Sequence, residues 1–140
     1  MDIIIHHFPE CGTSTHALKI IRDAGYDPVV NEYMKTGWTK PQLQELFAAA
    51  GMTARRALRI HKTNAKELGL TAEGVSEDEI LDAMVVFPKL VNRPIVVTDD
   101  GVALCRPSEA VLDLLPNWPA GPYPAKDGSP LIDADGNRVD

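Results

Sequence analysis

The sequence has 140 residues and a hydrophobic content of 44%, which suffices for one globular domain with a buried core. Its net charge of -6 argues against a nucleic-acid-binding surface. The only two cysteines, Cys11 and Cys105, are too few for a disulfide framework or a four-ligand zinc site. We therefore expect neither a bound metal nor a nucleic-acid partner.

The location of the protein is predicted from two missing patterns. No run of 18 apolar residues could span a membrane, and the N-terminus lacks the basic segment and long apolar stretch of a signal peptide. We expect a cytoplasmic monomer with no membrane partner. In that reducing compartment a cysteine is free to act as a thiolate.

The N-terminal part predicts a strand, a helix and a second strand. Residues 2–7 (DIIIHH) are β-branched and then polar, which is typical of a short buried strand. A helix is predicted from about residue 13 to 24 and closed by Gly25, and residues 28–34 form the next strand. This order predicts a right-handed parallel unit.

The middle of the chain, about residues 37–91, is predicted to be a helical insert without strands. Thr39 is a typical N-cap, and Gly51 ends the helix that follows it. Ser76 and Glu79 form the spacing of a capping box at the start of a later helix. Short helical pieces are expected between these two helices.

The C-terminal part returns to strands. Residues 94–98 and 102–105 flank an Asp-Gly turn and predict a hairpin, followed by a helix at about 108–115. The proline-rich tail, about 116–140, is predicted to be extended. The complete order predicts a single thioredoxin-like α/β domain over residues 1–140, with a mixed sheet and a helical insertion.

Cys11 is the first candidate for chemistry, because FPECGTS places it between a predicted strand and the start of a helix. Helix-terminal amides lower the pKa of a thiol and bind anions, and Gly12, Thr13 and Ser14 would supply those amides. The alternative is a cysteine that only packs in the core. With Ser14 in the fourth position of C-x-x-C, a dithiol mechanism from this loop is excluded. Reaction at Cys11 would then need an external thiol.

Three arginines could supply cations near this thiol. Arg93 precedes Pro94, and in a thioredoxin-like layout a proline at this place is expected to have a cis peptide bond and to lie against the cysteine loop. Arg106 follows the predicted hairpin, and Arg59 lies in the helical insert. Guanidinium groups bind oxyanions through paired hydrogen bonds. An arginine taken singly is most often a solvated surface charge. Only the convergence of all three on Cys11 would indicate an oxyanion site.

The segments CGTS, LVNRPIVVT and LCRPSEAVLDLL occur in an order and at intervals that resemble the glutaredoxin-coupled arsenate reductase family (ArsC type), from about residue 2 to 115. The resemblance implies that Cys11 attacks arsenate and that Arg59, Arg93 and Arg106 bind the oxyanion. Arg55 and Arg56 lie close to Arg59 in the sequence, so either of them could match the family's arginine in its place.

The resemblance also assigns supporting roles. His7 would tune the thiol, Ser14 would place a hydroxyl near it, and Cys105 would be non-catalytic. Glutathione would act as co-substrate, attacking the arsenic adduct, and glutaredoxin would clear the mixed disulfide. No bound cofactor is implied. The sequence departs from the family pattern at Phe8 and Thr15, where asparagine and arginine are common.

Two alternatives remain open from the sequence. One is a thioredoxin-like regulatory or binding protein similar to the Spx-type regulators, although these typically carry C-x-x-C. The other is a thiol enzyme that acts on a different oxyanion or on a glutathione-linked substrate. Fold alone does not separate these possibilities, because function resides in the site.

Overall fold

The computed structural model describes residues 1–139 and divides into two compact units. The first combines Met1–Asn31 with the chain from Arg93 onward, and the second is Glu32–Asn92. The predicted helical insert falls inside the second unit. Because the first unit draws on chain from both sides of the second, we continue to propose one domain with an insertion. Asp140, the end of the predicted tail, lies outside the described residues.

The described residues form six short strands, five α-helices and two 3₁₀ helices. In chain order they are β1 (Ile4–His7), α1 (Gly12–Asp23), β2 (Val29–Glu32), α2 (Tyr33–Thr36), α3 (Lys40–Ala50), α4 (Ala54–Ala57), α5 (Glu77–Val86), the 3₁₀ helix Pro88–Leu90, β3 (Ile95–Thr98), β4 (Gly101–Leu104), the 3₁₀ helix Ser108–Leu114, β5 (Tyr123–Pro124) and β6 (Pro130–Ile132).

The main sheet has four strands in the order β2-β1-β3-β4. Strand β3 runs antiparallel to both of its neighbours, with Val96 opposite Ile5 of β1 and Ala103 of β4. On the other side of β1, the amide of Val29 donates to the carbonyl of Ile3 at 2.8 Å. This mixed sheet with flanking helices has the predicted thioredoxin-like architecture.

The core of the first unit lies between this sheet and α1. The apolar spacing of α1 buries one face of the helix, and the strands bury alternate aliphatic side chains against it. The buried face consists of Ala17, Leu18, Ile20 and Ile21. Cys11, at the N-terminus of α1, is therefore held by a well-packed helix.

The C-terminal tail is more ordered than its prolines suggest. Strands β5 and β6 form an antiparallel pair, and Tyr123, Leu131 and Ile132 are buried in the core of the first unit. The hydroxyl of Tyr123 donates to a carboxylate oxygen of Asp23 in α1 at 2.6 Å. The prolines and Asp-Gly pairs do not predict this burial, because it depends on apolar side chains between the turns finding a place in the core.

The second unit shows the predicted helix caps. Thr39 accepts a hydrogen bond from the amide of Gln42 and completes a capping box, while Gly51 ends α3 with a φ of 66° in the left-handed region. The short helical pieces predicted between Gly51 and Ser76 reduce to α4 and a series of turns. Among the described residues no helix is long and apolar enough to cross a membrane.

The predicted helix at 108–115 is a 3₁₀ helix, Ser108–Leu114. It begins directly after a cis bond between Arg106 and Pro107. Its buried residues are Ser108, Val111, Leu112 and Leu114, which attach it to the core of the first unit. The segment that carries Arg106 is consequently fixed at both ends, by β4 and by this helix.

Candidate active site

Cys11 is the N-cap residue of α1, with the extended backbone angles (φ -91°, ψ 119°) that such a position requires. Its amide donates to the carbonyl of Phe8 at 3.0 Å, and its carbonyl accepts from the amide of Thr15 at 3.0 Å. The side chain is partly buried. The loop therefore presents the sulfur at the positive end of the helix dipole while leaving it accessible.

The hydroxyl of Ser14 holds this loop in shape. Its oxygen accepts from the amide of Phe8 at 3.1 Å and lies 2.6 Å from Nδ1 of His7. Ser14 itself is fully buried, and His7 is nearly so. In addition, Oγ1 of Thr15 donates to the carbonyl of Pro9 at 3.2 Å. The structure thus brings His7 and Ser14 together, with the backbone of Ser14 facing the thiol.

Two of the three predicted arginines lie in the same unit as Cys11. Nη1 of Arg106 is 3.6 Å from the sulfur and also donates to the carbonyl of Arg93 at 2.9 Å. The bond between Arg93 and Pro94 is cis, as expected from the sequence. Arg93 is only 4% exposed and hydrogen-bonds the same thiol. Both guanidinium groups accordingly face the sulfur.

The environment of Cys11 lowers its pKa to about 7. Partial burial raises the pKa, but four hydrogen bonds to the sulfur outweigh it. In order of size, they come from the backbone of Ser14, the side chains of Arg106 and Arg93, and the backbone of Thr13. With a pKa of about 7, roughly half of the Cys11 side chains are thiolates at neutral pH.

Phe8, one of the two departures from the family pattern, has a specific contact. Its ring lies 4.0 Å from Cζ of Arg93, within the range of a cation–π interaction. Both side chains are buried, which strengthens the attraction. The sequence marks Phe8 only as unusual, and no local signal predicts that it stacks on an arginine so far along the chain.

Arg59 and its competitors belong to the second unit. Arg59 donates from Nη1 to Oδ1 of Asn92 at 3.4 Å and from Nε to the carbonyl of His61 at 3.3 Å. Arg55 donates to the carbonyls of Ala72 and Val75, both at 3.0 Å. The side chain of Arg55 is thus committed to the fold of this unit. The approach of Arg59 to Cys11 stays a prediction.

The second cysteine has the opposite character. Cys105 is completely buried, and burial, with a smaller contribution from Asp113, raises its pKa to about 12. A thiol of this kind stays protonated and unreactive at neutral pH. No cluster of three or more histidine, cysteine or acidic side chains suited to a metal occurs within residues 1–139.

The comparisons with known proteins agree on one family. The sequence model of the ArsC family matches residues 6–114. A Synechocystis sp. protein named arsenate reductase ArsI2 is 60% identical, covering 98% of both chains. A Rhizobium meliloti protein named arsenate reductase is 47% identical, and the match covers 99% of both chains. An Escherichia coli protein of the same name is 41% identical, and the match covers 99% of this chain and 98% of that one.

A solved structure points the same way. The arsenate reductase from Vibrio cholerae superposes with a TM-score of 0.78 and 34% identity, over 82% of this chain and 98% of that one. This neighbour confirms the predicted thioredoxin-like fold class. The chain belongs to the ArsC family.

Proposed function

We propose that this chain is an arsenate reductase that acts through Cys11, with glutathione and glutaredoxin as thiol partners. The observation that carries the proposal is the Cys11 thiol, which sits at a helix N-terminus, faces Arg93 and Arg106 and has a pKa of about 7. Such a thiol is nucleophilic at neutral pH. Amides and guanidinium groups suit a tetrahedral oxyanion, and the relatives named above are arsenate reductases.

In the first step, the Cys11 thiolate attacks the arsenic of arsenate. An S–As bond forms and an As–O bond breaks, and the departing oxygen takes up protons to leave as water. Arsenic stays in the +5 state. Arg93, Arg106 and the amides of Thr13 and Ser14 would hold the remaining oxygens and balance the charge that develops on them.

The second step transfers the electrons. The glutathione thiolate forms an S–S bond with Cys11 while the S–As bond breaks, and arsenic keeps the bonding pair. Arsenic is thereby reduced from +5 to +3 and leaves as arsenite after protonation, while the two sulfurs are oxidised to a disulfide. A glutaredoxin thiolate then attacks the glutathione sulfur, which releases the Cys11 thiolate. The absence of C-x-x-C in this loop suits resolution by an outside thiol.

Among the arginines of the second unit, we propose Arg59 as the third oxyanion ligand. Its hydrogen bond to Asn92, the residue before Arg93 in the chain, supports the choice of Arg59 over Arg55 and Arg56. Arg55 is the weaker candidate because its side chain donates to two carbonyls. Arg56, which is exposed on α4, has no comparable support.

The cellular setting is proposed from chemistry and composition. Glutathione and glutaredoxin act in reducing compartments, so we propose a cytoplasmic protein. The net charge of -6 supports a protein without a nucleic-acid partner, and we propose that it works as a monomer with no membrane partner and no bound cofactor. The names of the full-length relatives support an enzyme over a Spx-like regulator.

A coupled assay tests the function. Arsenate-dependent oxidation of NADPH is measured with glutathione, glutaredoxin and glutathione reductase, for the wild type, Cys11→Ser and the control Cys105→Ala. We expect turnover by the wild type and the control and none by Cys11→Ser. No turnover by the wild type would refute the proposal, and turnover with selenate instead would favour the alternative of a different oxyanion. Full activity of Cys11→Ser would refute the proposed nucleophile.

A further inference from the structure

The C-terminal hairpin brings a lysine to the proposed active site. Lys126 lies in the turn between β5 and β6, and its side chain extends over Gly12, the residue after Cys11. A Cβ atom built on Gly12 would collide with the ammonium of Lys126 and would lie 3.1 Å from its Cε. The charged end of Lys126 is therefore directly above the first residue of α1.

The backbone that carries Lys126 is firmly held. Within the turn, Asp127 accepts from the amide of Ser129 at 2.9 Å and from its hydroxyl at 2.6 Å. The hairpin is anchored to α1 by the bond from Tyr123 to Asp23 and by its own buried residues. The fold thus fixes the backbone from which the exposed side chain of Lys126 reaches Gly12.

A cleft opens beside the site at this point. Its volume is about 220 Å³, and its walls include Thr13 from the cysteine loop, Pro107 and Glu109 from the segment after Arg106, and Lys126 from the hairpin. Glu109 and its neighbours across the cleft also line a second cavity of about 470 Å³. The cleft and this cavity share Glu109, Ala125 and Ser129 in their walls, and their combined volume lies within the roughly 300–1,000 Å³ typical of small-molecule sites.

We infer that this cleft binds the peptide thiol that resolves Cys11, a small molecule with carboxylate and ammonium groups such as glutathione. Lys126 would pair with a carboxylate, and Glu109 would attract the ammonium. The end of the cleft at Thr13 would then direct the thiol toward the sulfur of Cys11. This inference rests on the proposed function, which requires a second thiol to reach Cys11.

The first experiment separates co-substrate binding from oxyanion binding. Steady-state kinetics are measured for Lys126→Gln and for Lys66→Gln, a control that removes an exposed lysine of the second unit. For Lys126→Gln we expect the KM for glutathione to rise about three- to fivefold, the range of an exposed ion pair. The KM for arsenate and all constants of Lys66→Gln should not change. An unchanged KM for glutathione, or a rise only in the KM for arsenate, would overturn the inference.

A second experiment needs no arsenate. Cys11 thiolate attacks glutathione disulfide, forming a mixed disulfide and releasing one glutathione thiolate, and mass spectrometry follows the rate. We expect Lys126→Gln to slow this reaction about three- to fivefold relative to wild type. With the uncharged hydroxyethyl disulfide the two proteins should react equally. If Lys126→Gln slowed the reaction equally with both disulfides, or slowed it with neither of them, binding of glutathione by Lys126 would be contradicted.

The two experiments fail in different ways. If the wild type lacks arsenate turnover but the disulfide rates show the dependence on Lys126, the proposed function is wrong and the cleft stands. If arsenate is reduced and Lys126→Gln matches the wild type in both experiments, the function stands and the cleft assignment is wrong.

Discussion

Replacing Phe8 by leucine should weaken the hold on Arg93. A cation–π contact contributes about 2 kcal/mol when it is removed from water, and Phe8 and Arg93 are only 7% and 4% exposed. Phe8→Leu keeps an apolar side chain but removes the ring, at a further packing cost of about 1 kcal/mol. A single variant cannot separate these two contributions, so the interaction has to be measured as a coupling energy.

The coupling energy follows from four proteins: wild type, Phe8→Leu, Arg93→Met and the double variant. The free energy of unfolding is obtained for each from urea titrations. We expect the two substitutions to be non-additive by about 1–2 kcal/mol. A parallel cycle pairs Arg93→Met with Phe47→Leu, which removes another buried aromatic ring, and serves as the control.

The same variants test whether the contact matters to the thiol. Because Arg93 helps lower the pKa of Cys11, Phe8→Leu should move the midpoint of iodoacetamide alkylation to higher pH and raise the KM for arsenate. In the Arg93→Met background, Phe8→Leu should leave that midpoint unchanged. A coupling energy below about 0.5 kcal/mol, the usual error of additivity, would show that the ring does not position Arg93.

The remaining predictions concern the thiols and their loop. The rate of Cys11 alkylation should be half-maximal near pH 7 and rise with pH as the thiolate forms. Arg106→Met should raise that midpoint by about 1 pH unit, and an unchanged midpoint would contradict the role of Arg106. Ser14→Ala should lower the free energy of unfolding by about 1–3 kcal/mol, because the hydroxyl that His7 and a backbone amide contact is lost, and a fully stable variant would disprove this clamp. Cys105, with its pKa of about 12, should resist alkylation at pH 8 until urea unfolds the protein, and labelling of the native protein would show that its burial is transient.

Local patterns were sufficient for much of the fold. The first strand and helix and the hairpin around the Asp-Gly turn follow from spacing and turn chemistry within short windows. The thioredoxin-like class followed from the order of the predicted elements and the family from three motifs in order, and both are confirmed. The roles of the site residues remain predictions, although the structure places Cys11, Arg93 and Arg106 together.

What the sequence could not provide depends on contacts between distant segments. Tyr123 and Ile132 lie among prolines and Asp-Gly turns, which predict loops, and only the assembled core shows that these side chains are buried. The ring of Phe8 and the ammonium of Lys126 are positioned by the packing of separate strands and a hairpin. No spacing rule links such residues, because their separation along the chain carries no periodicity.

The bond between Arg106 and Cys11 joins residues 95 positions apart. Nearby amides act on the sulfur as soon as α1 forms, whereas the guanidinium groups arrive only when the last third of the chain has paired with β1. Low-pH reactivity of Cys11 is therefore an indicator of assembly of the first unit. A single thiol titration can follow refolding, and a nascent chain that lacks its C-terminal part would carry a sulfur of more ordinary acidity.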